Sequence, residues 1–134
     1  MIVWTDGAAR GNPGPAGAGA LVTDREGHVL AEIAEGLGVA TNNVAEYTAA
    51  ILGLRRAADL GAREVILRSD SRLVVEQLAG RWKIKNEALK ELHAQATAIA
   101  AVFSRVRYEH VPREMNATAD RLANDGVDAW LGGR

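Results

Sequence analysis

Glu64-Val65-Ile66-Leu67-Arg68-Ser69-Asp70-Ser71 reads as a buried strand that runs out on an acid. Val65, Ile66 and Leu67 form an unbroken β-favouring run of the kind shown by central strands covered on both faces, which sets a strand at Glu64 to Ser69. Before it, Val44, Tyr47, Ile51, Leu54 and Ala58 recur at helical spacing, from about Thr41-Asn42-Asn43 to a stop near Leu60-Gly61. After it, Leu73, Val74, Gln77 and Leu78 predict a short helix that ends by Gly80. A strand between two helices belongs to an α/β domain, and an acid at its end needs a use or a partner. Taken alone, Asp70 reads most simply as a cap for the helix that starts near Ser71.

Outward from that stretch, Ile2 to Thr5 is a short strand ending on Asp6-Gly7, and Gly11-Asn12-Pro13-Gly14-Pro15 forces a loop. Gly17 to Thr23 folds back through the turn Asp24-Arg25-Glu26-Gly27 onto His28 to Glu35 as a hairpin. On the other side, a helix from about Asn86 to Ala101 carries Leu89, Leu92, Ala96 and Ile99, then Phe103, on one stripe. Arg105 to Val111 alternates as a fifth strand that Pro112 ends. Asn116 or Thr118 opens a last short helix, and residues from Asp125 to Arg134 read as a fraying tail. The order predicts one mixed sheet, a three-stranded antiparallel meander whose first strand is extended by two parallel strands, in strand order 3-2-1-4-5 and flanked by helices.

The 134 residues make one domain with a sizeable core. A net charge of -1 removes the global basicity that marks many nucleic-acid binders, so a polyanion would have to meet a local patch. Cysteine is absent and only three His are present, which excludes disulfides and thiolate sites and leaves carboxylates as the means of holding a metal. No apolar run is long enough for a membrane span and no leader pattern opens the chain, which therefore reads as soluble and cytoplasmic; a monomer is expected.

The predicted sheet sets Asp6 on the central strand beside Asp70 on its parallel neighbour, with Glu46 in the first turn of the helix that crosses the sheet and Asp120 opening the last helix. Four acids from four elements that meet at one place repel one another unless cations neutralise them. Oxygen ligands alone select Mg²⁺ or Mn²⁺, and two such ions about 4 Å apart form the clamp of in-line phosphoryl displacement. Each acid also has an ordinary reading, Glu46 as a helix-dipole partner and Asp120 as a solvated helical residue.

Four motifs then carry a resemblance. Thr5-Asp6-Gly7-Ala8 with Gly11-Asn12-Pro13-Gly14-Pro15-Ala16-Gly17, Thr41-Asn42-Asn43-Val44-Ala45-Glu46, Ser69-Asp70-Ser71 and Asn116-Ala117-Thr118-Ala119-Asp120-Arg121-Leu122-Ala123 follow in order over nearly the whole chain. Together they resemble the type 1 ribonuclease H family. The resemblance implies the ribonuclease H-like fold over residues 1–124, with 125–134 as the tail. It implies a metal-dependent endonuclease that cuts the RNA strand of RNA/DNA hybrids, leaves 5′-phosphate and 3′-hydroxyl ends, and uses two Mg²⁺ ions for which Mn²⁺ substitutes. Asp6, Glu46, Asp70 and Asp120 are its implied metal ligands. Gly11, Asn12, Asn42 and Asn43 match positions that grip the minor groove, Thr41 matches one that holds a DNA-strand phosphate, and Asn116 is counted with them. Double-stranded RNA stays open as a second substrate.

Two departures from the family pattern matter. Many members carry a catalytic His in a flexible loop before the last acid, whereas here that loop is only Pro112-Arg113-Glu114-Met115. His110 shares a strand face with Val106 and Tyr108, which gives it a structural reading in the sheet, with catalysis as the alternative. Arg113, where the shortened loop faces the site, resembles the Arg of family members that lack the His. The basic protrusion of several members is reduced to Arg81-Trp82-Lys83-Ile84-Lys85-Asn86. Lys83 and Lys85 are its candidate phosphate contacts, a solvated face being the alternative. The rivals are another nuclease or strand transferase on the same fold, and a binding module without catalysis.

Overall fold

The computed structural model describes residues 1–133. β1 (Ile2–Ala9), β2 (Gly14–Thr23), β3 (Val29–Ala40), β4 (Glu64–Ser69) and β5 (Arg105–His110) form one sheet in the order β3-β2-β1-β4-β5. β1 pairs antiparallel with β2 and β2 with β3, while β4 runs parallel to β1 and β5 parallel to β4. This is the mixed sheet that the order of elements predicts.

The helices are α1 (Asn42–Asp59), α2 (Arg72–Leu78), α3 (Glu87–Ala100) and α4 (Ala117–Gly132), the last preceded by a 3₁₀ turn over Arg113–Asn116. Thr41, Ser71 and Asn86 start the first three, each side chain accepting a backbone N–H three residues on. α1 lies on one face of the sheet, where Gly53 fits against Val3, Thr5 and Ala20, and α4 lies on the other, against Gly17 and Gly19. Tyr47, Leu54, Val65, Leu67, Leu89 and Phe103 belong to the main core, which fills the space between the α1 face and α3. No helix among the described residues is long and apolar enough to cross a membrane.

Three expectations need correction. β1 continues through Gly7 to Ala9, paired with Ala18, Gly17 and Ala16, instead of stopping at Thr5. Gly7, which signals a turn in the sequence, is a contact glycine: a Cβ there would lie 2.3 Å from the backbone of Ala45 and Glu46 in α1. β4 is covered on one face only, since Val65, Leu67 and Ser69 are buried while Ile66 and Arg68 are half-buried. α4 spans β1 to β3, so Arg68 instead lies over the Trp4 ring at 4.9 Å and pairs with Glu109 at 3.0 Å.

The third concerns the tail. Residues 125–132 are the second half of α4, with Gly126 and Val127 buried. The bare Cα of Gly126 lets the helix approach β3 so closely that a Cβ would meet the Glu35 carbonyl at 2.5 Å. Trp130 covers the matching notch at Gly36. Arg134 lies outside the described residues.

Backbone contact between α4 and β2 makes a prediction. A methyl at Gly19 would sit 2.4 Å from the Ala119 carbonyl and the Ala123 nitrogen, so Gly19→Ala is expected to destabilise the protein by about 1–3 kcal/mol in urea unfolding. Gly132→Ala, with nothing within 4 Å, is the control and is expected to leave the midpoint unchanged or raise it. Equal stability for Gly19→Ala and wild type would refute the close packing.

Candidate active site

The last rung between β1 and β4 pairs Thr5 with Ser69. The next residue on each strand is an acid, so Asp6 and Asp70 leave adjacent parallel strands side by side. Two glycines bring the other acids to them. At Gly7 the approach of α1 lets the Gly7 N–H donate to the Glu46 carboxylate. Glu46 sits just past the first turn of α1, not in it as the sequence predicts. At Gly19, the partner of Asp6 on β2, the approach of α4 carries Asp120 to the same end of the sheet. Carboxylate oxygens of Asp6, Glu46 and Asp70 lie within 4.8 Å of one another, and Asp120 is in hydrogen-bonding reach of Asp6.

Crowding shows in the acidities. Burial, then the charges of Glu46 and Asp70, then hydrogen bonds to Asp120 and Glu46 push Asp6 up to about 9. Burial raises Glu46 to about 7, although the Gly7 N–H that it accepts pulls the other way. The donor set is oxygen only, which fits a hard divalent cation such as Mg²⁺ or Mn²⁺ and supplies no soft ligand for others.

These acids form the floor of an open cleft of about 670 Å³. Arg113 and His110 line it together, as do Asn42 and Asn43. His110 is both a strand residue, paired with Ser69, and an exposed cleft residue whose Nε2 lies 3.2 Å from the Asp70 carbonyl. Thr41 and Asn12 line a second cavity of about 270 Å³ with Asn86, and Asn43 borders both. Gly11 stands at φ +94° in the loop between β1 and β2, a left-handed turn that suits glycine. Lys83 and Lys85 are exposed between α2 and α3 and line neither cavity.

Asn116 is a candidate that the structure buries away from the cleft. It is 1% exposed, and its amide donates to the Thr5 carbonyl at 2.9 Å, so it fastens α4 to β1 and does not face the cleft. Sequence reasoning missed Arg10, Asn124 and Asn86. Arg10 and Asn124 line the main cleft, Asn124 standing one turn after Asp120 on α4. A lone cation between runs of small residues was the available signal for Arg10.

A family profile described as reverse transcriptase-like matches residues 4–126. A bifunctional protein of Mycobacterium tuberculosis is 54% identical over 130 residues, covering 96% of this chain, which spans only 36% of that relative. A ribonuclease H of Pseudomonas fluorescens is 36% identical over 145 residues, covering 97% of this chain and 92% of the relative. Among solved structures, LC11 ribonuclease H1, from compost, in complex with an RNA/DNA hybrid superposes with a TM-score of 0.91 at 43% identity, covering 97% of this chain and 98% of that one.

Because the folded state raises Asp6 and Glu46 above their ordinary values, the metal-free protein binds more protons folded than unfolded. Its stability is therefore expected to fall as pH rises from about 4 through about 9, once salt is held constant. With Asp6 pushed up to about 9, its carboxyl is protonated in the fold at neutral pH, so Asp6→Asn removes the cost of taking up that proton and should raise the metal-free melting temperature at neutral pH by about 3–6 °C, what about 1 kcal/mol does to a domain of this size. Scanning calorimetry in EDTA checks both, and a flat pH profile with no gain in Asp6→Asn would contradict the crowding.

Proposed function

Since the chain belongs to the ribonuclease H family, we propose that it is a metal-dependent endonuclease that hydrolyses the RNA strand of RNA/DNA hybrids, leaving 5′-phosphate and 3′-hydroxyl ends. The observation that carries this reading is the convergence of Asp6, Glu46, Asp70 and Asp120 in an open cleft, an arrangement that is costly without cations. These four would hold two Mg²⁺ ions, with Mn²⁺ as substitute, and the ions when bound supply a water of lowered pKa and neutralise charge on the leaving oxygen.

The remaining roles belong to the chain's own groups. Arg113, in the exposed 3₁₀ turn on the cleft rim, offers a cation to charge developing on the scissile phosphate. Asn42 and Asn43 face the same cleft from the start of α1, where they would meet the minor groove. Thr41 supports a phosphate contact in the second cavity: its Oγ accepts from the Val44 N–H at 3.2 Å, leaving the hydroxyl proton to donate. Asn43 borders both cavities, so one duplex could present its RNA strand to the acids and its DNA strand to Thr41 and Asn86. Lys83 and Lys85 would add exposed positive charge to the duplex backbone.

Wild-type protein is expected to cut the RNA strand of an end-blocked hybrid at internal positions in Mg²⁺ and to spare duplex DNA, with duplex RNA as the third arm. Asp6→Asn and Asp70→Asn should each lower the rate by about 10³-fold or more, the several kcal/mol that a lost cation site removes. Near-native hydrolysis by either at saturating Mg²⁺ would falsify the assignment. Arg113→Ala should lower kcat more than His110→Ala does, and the reverse order would hand the role to the imidazole.

A further inference from the structure

Resting on that proposed reading, we infer that Arg10 is a substrate-positioning residue that holds an RNA-strand phosphate next to the one being cut, and that α4 pre-orients it for this task. Arg10 follows the end of β1 and lines the same cleft as the four acids. Its backbone is pinned, since its N–H donates to the Pro15 carbonyl at 2.8 Å and its own carbonyl fills the space that a side chain at Gly14 would need. Its head is pinned as well. Nη1 lies 2.8 Å from Asp128 Oδ1, and Nη2 donates to Asn124 Oδ1 at 3.3 Å.

Asp120, Asn124 and Asp128 are spaced four apart and share one stripe of α4. The helix that supplies a metal-binding candidate therefore also supplies both groups that hold the guanidinium. Two of the five guanidinium N–H donors serve those contacts, and the others remain for an anion in the cleft. The side chain is 43% exposed, so it can be reached. An exposed ion pair of this kind contributes little to stability, typically about 0–1 kcal/mol, which makes fastening α4 a weak reason for the arrangement. A flexible arginine would lose rotamer freedom when it bound a phosphate, and one already held loses less.

The source of the anion is fixed by placement. The cleft that Arg10 lines holds the acids, whereas Thr41 and Asn86 line the other cavity. A phosphate at Arg10 therefore belongs to the strand that is cut.

The test uses the full chain and a fluorescein-labelled RNA/DNA hybrid, with Kd measured in Ca²⁺ and cleavage in Mg²⁺. Arg10→Ala is expected to raise Kd and KM about tenfold, to change kcat much less, and to reduce the salt slope of binding by about one. Arg10→Lys should recover part of the loss, because it restores charge but not the fork. Asp128→Ala leaves the guanidinium in place without its main anchor and should raise KM by a smaller factor. Melting temperatures close to wild type are expected for all three. Unchanged Kd and salt slope in Arg10→Ala would overturn the inference, as would equal losses in Arg10→Ala and Asp128→Ala tracking a lowered melting temperature. If the wild type binds the hybrid but does not cut it, the nuclease reading fails while the Kd series still decides the role of Arg10.

Discussion

Three carboxylates whose oxygens lie within 4.8 Å of one another impose the constraint on which the rest of the structure turns. At an effective dielectric constant of about 20, each pair of like charges at that distance costs about 3–4 kcal/mol. The chain does not relieve this by spreading the acids apart. It holds them on the two innermost parallel strands and on helices from opposite faces, and it uses glycine to bring those helices into backbone contact with the sheet. Gly7 admits α1 and Gly19 admits α4, and in each case a methyl group would collide with helix backbone. The repulsion is partly relieved by protonation, which is why Asp6 and Glu46 titrate high, and a bound cation would relieve it more fully.

Much of this was legible in the sequence, for physical reasons that can be named. The strand Glu64–Ser69 was readable to the residue because its apolar run is bounded by charged and cap-forming residues. α1 and α3 were readable because their apolar positions repeat at 3.6 and their starts carry Thr41 and Asn86. Strand order followed from the alternation of elements, and the order alone put Asp6 beside Asp70. The grouping of Asp120 and Glu46 with them leaned on the family motifs, since neither residue differs locally from an ordinary helical acid.

What the sequence hid lies mostly with glycine and with range. Gly7 looks like a breaker because local propensity penalises glycine inside strands, yet it and Gly126 both sit within regular elements where close approach of another backbone requires a missing side chain. Reading residues from Asp125 to Arg134 as a fraying tail shortened α4. That error in turn concealed Arg10, whose anchor Asp128 lies in the supposed tail, more than a hundred residues further along the chain. Asn116 was misplaced for a related reason: a motif fixes that a residue matters but not whether it faces ligand or backbone, and here its amide reaches the Thr5 carbonyl.

The amide side chains at the cleft edge show how a nearly neutral protein can meet a polyanion beside a cluster of acids. Asn42 Oδ1 accepts from the Ala9 N–H at 3.1 Å, and Asn12 Oδ1 accepts from the Asn42 N–H at 3.0 Å. Each side-chain oxygen is thereby tied to the backbone, which turns each NH₂ group into a pair of donors directed away from it. Donors held in this way match the acceptor-rich minor groove and the 2′-hydroxyls of an RNA strand without adding net charge. With a net charge of -1 for the chain, its overall charge does not attract a polyanion, and attraction rests on local cations. On the proposed reading, recognition would fall to short-range donors in fixed positions, among them Asn42 on α1, Asn12 between β1 and β2, and Arg10 anchored by α4. Such a site would read mainly backbone shape and sugar chemistry.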